Sequence, residues 1–245
     1  LDSTSIKSKF EKIAPILQTI HASGKKLRGE FAPFEEIRKY ESLIEGPIPY
    51  ENYEAVRKDF EAGVEAVIST LTTIDSEIAH LNVKDCTYRF YRDTRFSPDK
   101  SPYKRHLGAF ICAKGRKALR GGYYIHLQPD NCLVAVGSYW LPTNILTSCR
   151  NEIMANIEQW RKIVENGKFI MTFGYPNDGK WEDDAVSDKG FGLTALKTIP
   201  KGFPRDYEFA QYLRMKDYCC WVKVPDNFFE GNEWQGKLIE IVKTG

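Results

Sequence analysis

Basic and aromatic side chains are concentrated between Lys84 and Arg120 of this 245-residue sequence. Eleven Lys or Arg residues lie in this stretch against three acidic residues, a net charge of +8, whereas the whole chain carries +2. Such an asymmetry can focus a positive field on one face of a protein and attract anionic ligands. The stretch therefore predicts a binding site for an anion such as a phosphate or a carboxylate.

Cations from this stretch and beyond it are candidates to converge on one anion. Guanidinium groups suit that role because their planar fork donates two parallel hydrogen bonds to such a group. Pro98 and Pro102 should stiffen the intervening loop and fold Lys100 back toward the arginines. Tyrosines interleaved with the cations could stack on a base or ring. The predicted ligand-binding residues are Arg92, Arg95, Lys100, Tyr103, Lys104, Tyr123, Tyr124 and Arg150.

The same charges also have a structural interpretation. Asp93 would pair with an arginine and pin the loop, while the lysines would form a solvated face. Because the string lies between Phe90 and Phe96, we expect Arg92, Asp93 and Arg95 to be at least partly buried and bonded to one another.

Acid–base chemistry has two candidates, Asp93 and His126. Histidine is a natural general base near neutral pH. On an extended strand, His126 and Tyr124 share the face opposite Tyr123 and Ile125. An enzyme acting on a small anionic substrate would use one of the two candidates as acid or base, with the arginines as a clamp.

The sequence predicts neither a metal nor a cofactor. The other histidines lack ligand spacing, and P-loop, G-x-G-x-x-G and G-x-S-x-G patterns are absent from the sequence. Six cysteines without C-x-x-C or Cys/His spacing predict reduced thiols and a cytoplasmic location. No apolar run approaches the roughly eighteen residues of a membrane span, so a membrane is not an expected partner.

Hydrophobic periodicity predicts the elements that position these residues. Residues 1–50 are expected to be helical, and a long helix from Tyr53 should place its stripe against a sheet. The stripe includes Val56, Phe60, Val64 and Val67. From Tyr88 the period changes to two, which predicts four strands at 88–92, 107–113, 122–128 and 133–139.

The second half of the chain should alternate between helix and strand. Expected there are a helix capped by Thr147 or Ser148, a strand at 192–198, a helix at 204–215, a strand at 218–224 and a helix at 233–242. Short connections favour an antiparallel meander. The predicted fold is therefore one α+β domain over residues 1–245, a mostly antiparallel sheet with helices packed against it.

Several strings in the sequence resemble a bacterial and fungal family, domain of unknown function 2461. The most specific is Arg92-Asp93-Thr94-Arg95-Phe96-Ser97. Further matching positions are Gly122-Tyr123-Tyr124 with His126, Gly137, Leu146 with Arg150, Pro200-Lys201-Gly202-Phe203, and Leu213 with Lys216. The resemblance spans residues 51–220, leaving out residues 1–50 and the end after Cys220. It implies a bacterial-type cytoplasmic protein and assigns no reaction.

Three functions from different classes are consistent with these residues. The favoured one is a binding domain for a phosphate- or carboxylate-bearing ligand, with nucleic acid as a further candidate partner. The second is the enzyme with Asp93 or His126 as acid or base. The third is a protein-interaction module whose basic face meets an acidic partner. A concave pocket holding Arg92, Arg95 and a titratable group with a shifted pKa would favour the enzyme. A flat basic strip with exposed tyrosines would favour nucleic acid, and a flat basic face rimmed by apolar residues would favour a protein partner.

Overall fold

The computed structural model of the protein describes residues 53–90, 104, 106–177 and 187–245. These residues fall within one compact unit that spans Tyr53–Gly245. The helices predicted within residues 1–50 lie outside the described residues, so the single-domain assignment for the whole chain stays a prediction.

Five antiparallel strands form one sheet in the described part of the chain. They are β1 (Leu107–Ile111), β2 (Gly122–Leu127), β3 (Leu133–Ser138), β4 (Lys189–Phe191) and β5 (Tyr218–Lys223). Their spatial order is β1-β2-β3-β5-β4. The α+β class and the antiparallel sheet are confirmed, but the order is not strictly a meander, because β5 lies between β3 and β4.

Seven α-helices accompany the sheet within the described ranges. They are α1 (Tyr53–Thr72), α2 (Val83–Cys86), α3 (Thr143–Ala155), α4 (Ile157–Val164), α5 (Gly167–Phe173), α6 (Ala210–Arg214) and α7 (Trp234–Thr244). A single 3-10 turn, Ser76–Ile78, follows α1.

The apolar stripe of α1 packs on the sheet, as its spacing predicts. Phe60 is only 5% exposed and contacts the Phe90 ring edge-on, with ring centroids 6.0 Å apart. The core that it joins combines α1 residues Val64, Val67 and Leu71 with strand residues Ala109, Ile111, Ile125 and Val134. Val56, however, is 48% exposed, so the buried stripe begins one turn later than predicted.

A second core lies on the same face of the sheet and is covered by the helices of the central region. Phe169 and Phe173 from α5 pack there with Phe191 of β4 and Cys220 of β5. Because Cys220 pairs with Val136, it faces the helices, and the adjacent Cys219 faces the opposite side. The two cysteines therefore lie on opposite faces, as expected for a strand. All six cysteines are free thiols, and five of them are buried.

Two predicted strands are not found over their described residues, which for the strand expected at 88–92 are 88–90. Residues 88–90 are not in a strand: Thr87 makes a single bridge to Ala109, and the Tyr88 amide then donates to the Gly108 carbonyl at 3.1 Å. The strand expected at 192–198 is replaced by β4, which ends where Gly192 takes a positive φ of +78°. Beyond it, only Ala195 pairs, in an isolated bridge to Met215.

Predicted helix limits also differ from the observed ones. Helix α3 begins at Thr143, four residues before Thr147. The Thr147 hydroxyl lies inside the helix, where it donates back to the Thr143 carbonyl and does not cap a helix start. Ser148 bonds the Asn144 carbonyl in the same way. The helix expected at 204–215 is confined to α6, with turns before it. The final strand and the closing helix are confirmed to within two residues.

Candidate functional site

The helices cover one face of the sheet, and the strand register determines which side chains lie on the other. Across β1, β2, β3 and β5, one row contains Gly108, His126, Leu133 and Lys223. The next row contains Phe110, Tyr124, Ala135 and Trp221. On this aromatic face, the buried residues described form a small cluster of Ala135, Cys219 and Trp221.

Glycines on neighbouring strands allow the large rings of this face to lie flat. A Cβ on Gly108 would stand 2.9 Å from the Tyr124 hydroxyl, so the phenol occupies space that only glycine leaves open. Toward the other edge of the same face, a Cβ on Gly190 of β4 would overlap the Trp221 indole. These close approaches are a common reason for glycine inside a strand.

A pocket of about 790 Å³ opens on this face. Its floor is Phe110, Tyr124, Ala135 and Trp221, and the β1–β2 loop and the end of β3 form its rim. Among the lining residues that the structure describes, five are Lys or Arg and none is Asp or Glu. The five are Lys104, Arg116, Lys117, Arg120 and Lys223. A volume of this size lies within the range of small-molecule sites.

The β1–β2 loop holds three of these cations and is anchored to α2. The Arg116 amide donates to the Asp85 carbonyl at 3.0 Å, and the Arg116 guanidinium donates to the Lys84 carbonyl. Gly115, with φ of +76°, makes the turn that precedes it. The loop therefore presents its cations from a fixed position.

Partners of the pocket cations are few. Arg120 forms an exposed salt bridge with Glu77 at 3.2 Å, and Lys223 approaches Asp188 at 3.8 Å. In the described ranges, no carboxylate forms a salt bridge with Lys104 or Lys117. The Lys104 ammonium instead lies 5.6 Å from the centroid of the Tyr88 ring, and burial lowers the pKa of Lys104, with the Arg89 charge as a smaller cause.

Three phenols, those of Tyr88, Tyr124 and Tyr139, line the pocket. Burial, with smaller contributions from the neighbouring Tyr88 and Tyr139 phenols, raises the pKa of Tyr124 to about 12. Burial also raises the pKa of Tyr88, against the opposing effect of Arg116. Tyr88 and Tyr124 are therefore neutral at physiological pH, and their hydroxyl oxygens can accept a hydrogen bond from a ligand.

Two histidines stack beside these phenols. The rings of His106 and His126 have centroids 4.4 Å apart and planes inclined by 22°. Burial is the main cause that lowers the pKa of each, and the charges of His126 and Lys104 lower that of His106 further. Both ring nitrogens of His126 are engaged, Nδ1 with the Tyr124 hydroxyl at 3.1 Å and Nε2 with Gln128 Oε1 at 3.3 Å.

The structure brings together two of the predicted ligand-binding residues, Lys104 and Tyr124, in this pocket. Tyr123 lies on the helix side, where its phenol donates to the Asp75 carboxylate at 3.0 Å. The other predicted site residues, Arg92, Asp93, Arg95, Lys100 and Tyr103, lie outside the described residues, as does the expected bonding among Arg92, Asp93 and Arg95.

Arg150 lies apart from the pocket. Its side chain is 3% exposed, and Nη2 donates to the Met215 carbonyl at 2.8 Å. Burial raises the pKa of the nearby Tyr218 phenol, and the Arg150 charge partly opposes that rise. This guanidinium links α3 to the segment before β5 and does not line the pocket.

Several residues that line the pocket were not among the predicted site residues. Arg116, Lys117 and Arg120 lie in the recognised basic stretch, but no local feature distinguishes them from its other cations. On the last strand, Trp221 lies between Cys220 and Val222. The alternation of a strand therefore predicts that its side chain lies on the face opposite theirs. Tyr139 and Trp140 follow β3 directly, where an aromatic pair at a strand end is the signal.

Comparison with known proteins gives one match. The family model described as "Conserved hypothetical protein (DUF2461)" matches residues 50–245, which extends past Cys220, where the resemblance stopped. No curated protein and no solved structure matches the chain.

No described helix is both long and apolar enough to cross a membrane. No group of three or more His, Cys, Asp or Glu side chains in the described ranges is arranged to hold a metal ion.

Proposed function

The chain belongs to the DUF2461 family, and we propose that it binds a small anionic ligand in the sheet pocket. The observation that carries this proposal is the lining of the pocket: five cations and, among the described residues, no carboxylate. Arg120 and Lys223 reach carboxylates outside the lining, so the repulsion arises mainly among the other three cations. Like charges gathered around one cavity repel each other, and this costs free energy unless an anion neutralises them.

The shape of the pocket supports a small ligand. A concave site with low-dielectric walls focuses the field of its cations, and here the aromatic floor provides such walls. Arg116 is held by the Lys84 and Asp85 carbonyls, so its position does not have to be organised when the ligand arrives. A flat basic strip, which a polyanion would favour, would have its cations spread along the surface.

Binding without catalysis is the simpler proposal for this pocket. A general base must reach the proton that it abstracts, and His126 already uses both ring nitrogens inside the protein. The other acid–base candidate, Asp93, lies outside the described residues. Of the two predicted acid–base candidates, neither is therefore a described group with a free ring nitrogen or carboxylate.

Isothermal titration of the whole chain with pyrophosphate and with citrate, at low and high salt, tests the proposal. Binding should weaken as salt rises, because the cations are near the surface. Lys117→Glu should weaken binding by about tenfold, equivalent to about 1.4 kcal/mol. Lys162→Glu, the same charge reversal on an exposed lysine of α4 in the helix layer, should leave the affinity nearly unchanged.

Two results would count against the proposal. Absence of binding by either anion, with the protein folded by circular dichroism, would overturn it, as would equal losses in both variants. Tighter binding of a duplex oligonucleotide, with a steep dependence on salt, would assign the cations to a polyanion instead.

A further inference from the structure

The rim of the pocket presents two large aromatic side chains to solvent. Tyr139 is 59% exposed and Trp140 is 78% exposed, and both line the pocket just beyond the end of β3. Their rings meet edge-on, with centroids 6.1 Å apart and planes inclined by 65°. Each ring therefore keeps a face that the other ring does not cover.

The backbone at Trp140 is held in an unfavourable conformation. Its φ is +54°, in the left-handed region that bulky residues rarely adopt. Residues kept in such conformations cluster at binding sites, where the surrounding structure holds them. Burial does not explain why a tryptophan occupies this position, because its indole is the most exposed aromatic side chain of the pocket lining.

The strand register places Arg120 at the same end of the pocket as these rings. Gly122 pairs with Gly137, and a Cβ on Gly121 would lie 3.5 Å from the Ser138 hydroxyl, so the strand pair continues toward Arg120 and Tyr139. The same loop carries Arg116 and Lys117 into the pocket. One end of the pocket therefore combines exposed ring faces with several positive charges.

Resting on the anion site proposed above, we infer that the ligand is a planar aromatic ring joined to a phosphate, of the nucleoside monophosphate class. The phosphate meets Arg116, Lys117 and Arg120, and the ring stacks on Trp140 or Tyr139. Bare phosphate would leave the ring faces unused, and an uncharged ring would leave the cations uncompensated. Each feature of the rim thus has a counterpart in such a ligand.

Adenosine monophosphate, ribose 5-phosphate and adenosine separate the two contributions. Isothermal titration should show adenosine monophosphate binding at least about tenfold more tightly than ribose 5-phosphate, the size expected from stacking on one aromatic side chain. Adenosine should bind more weakly than adenosine monophosphate. Stacking should also change the tryptophan fluorescence with adenosine monophosphate and not with ribose 5-phosphate.

Rim variants locate the ring. Trp140→Ala and Tyr139→Ala together should remove the advantage of adenosine monophosphate while leaving the affinity for ribose 5-phosphate unchanged. Tyr175→Ala is the matched control, because Tyr175 is 73% exposed and does not line the pocket. That variant should retain the full advantage.

The outcomes distinguish this inference from the proposal beneath it. Equal affinities for adenosine monophosphate and ribose 5-phosphate, both lost in Lys117→Glu, would overturn the aromatic ligand and retain the anion site. An advantage that survives loss of both rim rings would also overturn the inference. Failure of every anion to bind would overturn both, and adenosine binding as tightly as its monophosphate would remove the role of the cations.

Discussion

The hydroxyl of Tyr124 lies 3.1 Å from Nδ1 of His126, two residues further along β2. The other ring nitrogen of His126 lies 3.3 Å from Oε1 of Gln128. An amide oxygen can only accept, so Nε2 carries the proton and Nδ1 of the neutral ring accepts from the phenol. Residues 124, 126 and 128 therefore form one hydrogen-bonded chain along the pocket side of β2.

Tyr124→Phe should raise the pKa of His126. The phenol donates to the neutral imidazole and so favours that form, adding to the burial that already lowers the pKa. Loss of a bond worth about 0.5–1.5 kcal/mol should raise the pKa by up to about one unit. Titration of the His126 ring signals by NMR checks this, with the exposed His80 as the internal control. An unchanged His126 titration would refute the direction of donation.

Stability should fall as the pH drops below about 6.5, the ordinary pKa of histidine in an unfolded chain. Burial lowers the folded-state pKa of His106 and His126, so between the folded and unfolded values the unfolded chain binds protons that the folded protein does not. The free energy of unfolding is then fully retained above that pH and decreases as the pH falls toward the folded pKa.

Urea unfolding at about pH 7.5 and pH 5.5, on either side of that ordinary value, measures this decrease. Replacing both His106 and His126 with Asn should make the decrease smaller, whereas His80→Asn should leave it as in the parent. An equal decrease in all three proteins would assign the effect to other groups. The groups that face the pair are Lys104, Tyr124 and Gln128.

Phe60→Ala should reduce the free energy of unfolding by about 3–5 kcal/mol, because the ring is buried in the core between α1 and the sheet. Val56→Ala, one turn earlier on the same helix, should change it by no more than about 0.5 kcal/mol, because that side chain is largely exposed. Urea denaturation of both variants is the measurement. Similar losses at the two positions would contradict the observed packing of α1.

Arg150→Met should leave pyrophosphate affinity within about twofold of the parent, a difference well under 1 kcal/mol. The guanidinium is buried against the Met215 carbonyl and does not line the pocket. The carbonyl would lose a donor, so stability should fall by about 1–3 kcal/mol. Titration and thermal unfolding of the same sample separate the two effects. A tenfold loss of affinity in a stable variant would return Arg150 to the binding site.

Local period determined much of this fold from the sequence alone. Alternation along β2 placed Tyr124 and His126 on the face opposite Tyr123 and Ile125, which the sheet confirms. The stripe of α1 buried Phe60 in the same way. These properties are local because the direction of a side chain repeats every two residues in a strand and every 3.6 residues in a helix.

The composition of the pocket was decided by the tertiary structure. Its floor needs Trp221 beside Ala135, and that contact exists because β5 enters between β3 and β4, a pairing between segments about 85 residues apart. Arg150 and Arg116 look alike in the sequence. Arg150 is buried on α3 against the Met215 carbonyl, whereas Arg116 is held at the pocket by the carbonyls of α2. Residue type determines the charge of a side chain. Strand order and loop anchoring determine where in the structure that charge lies, and both depend on distant parts of the chain.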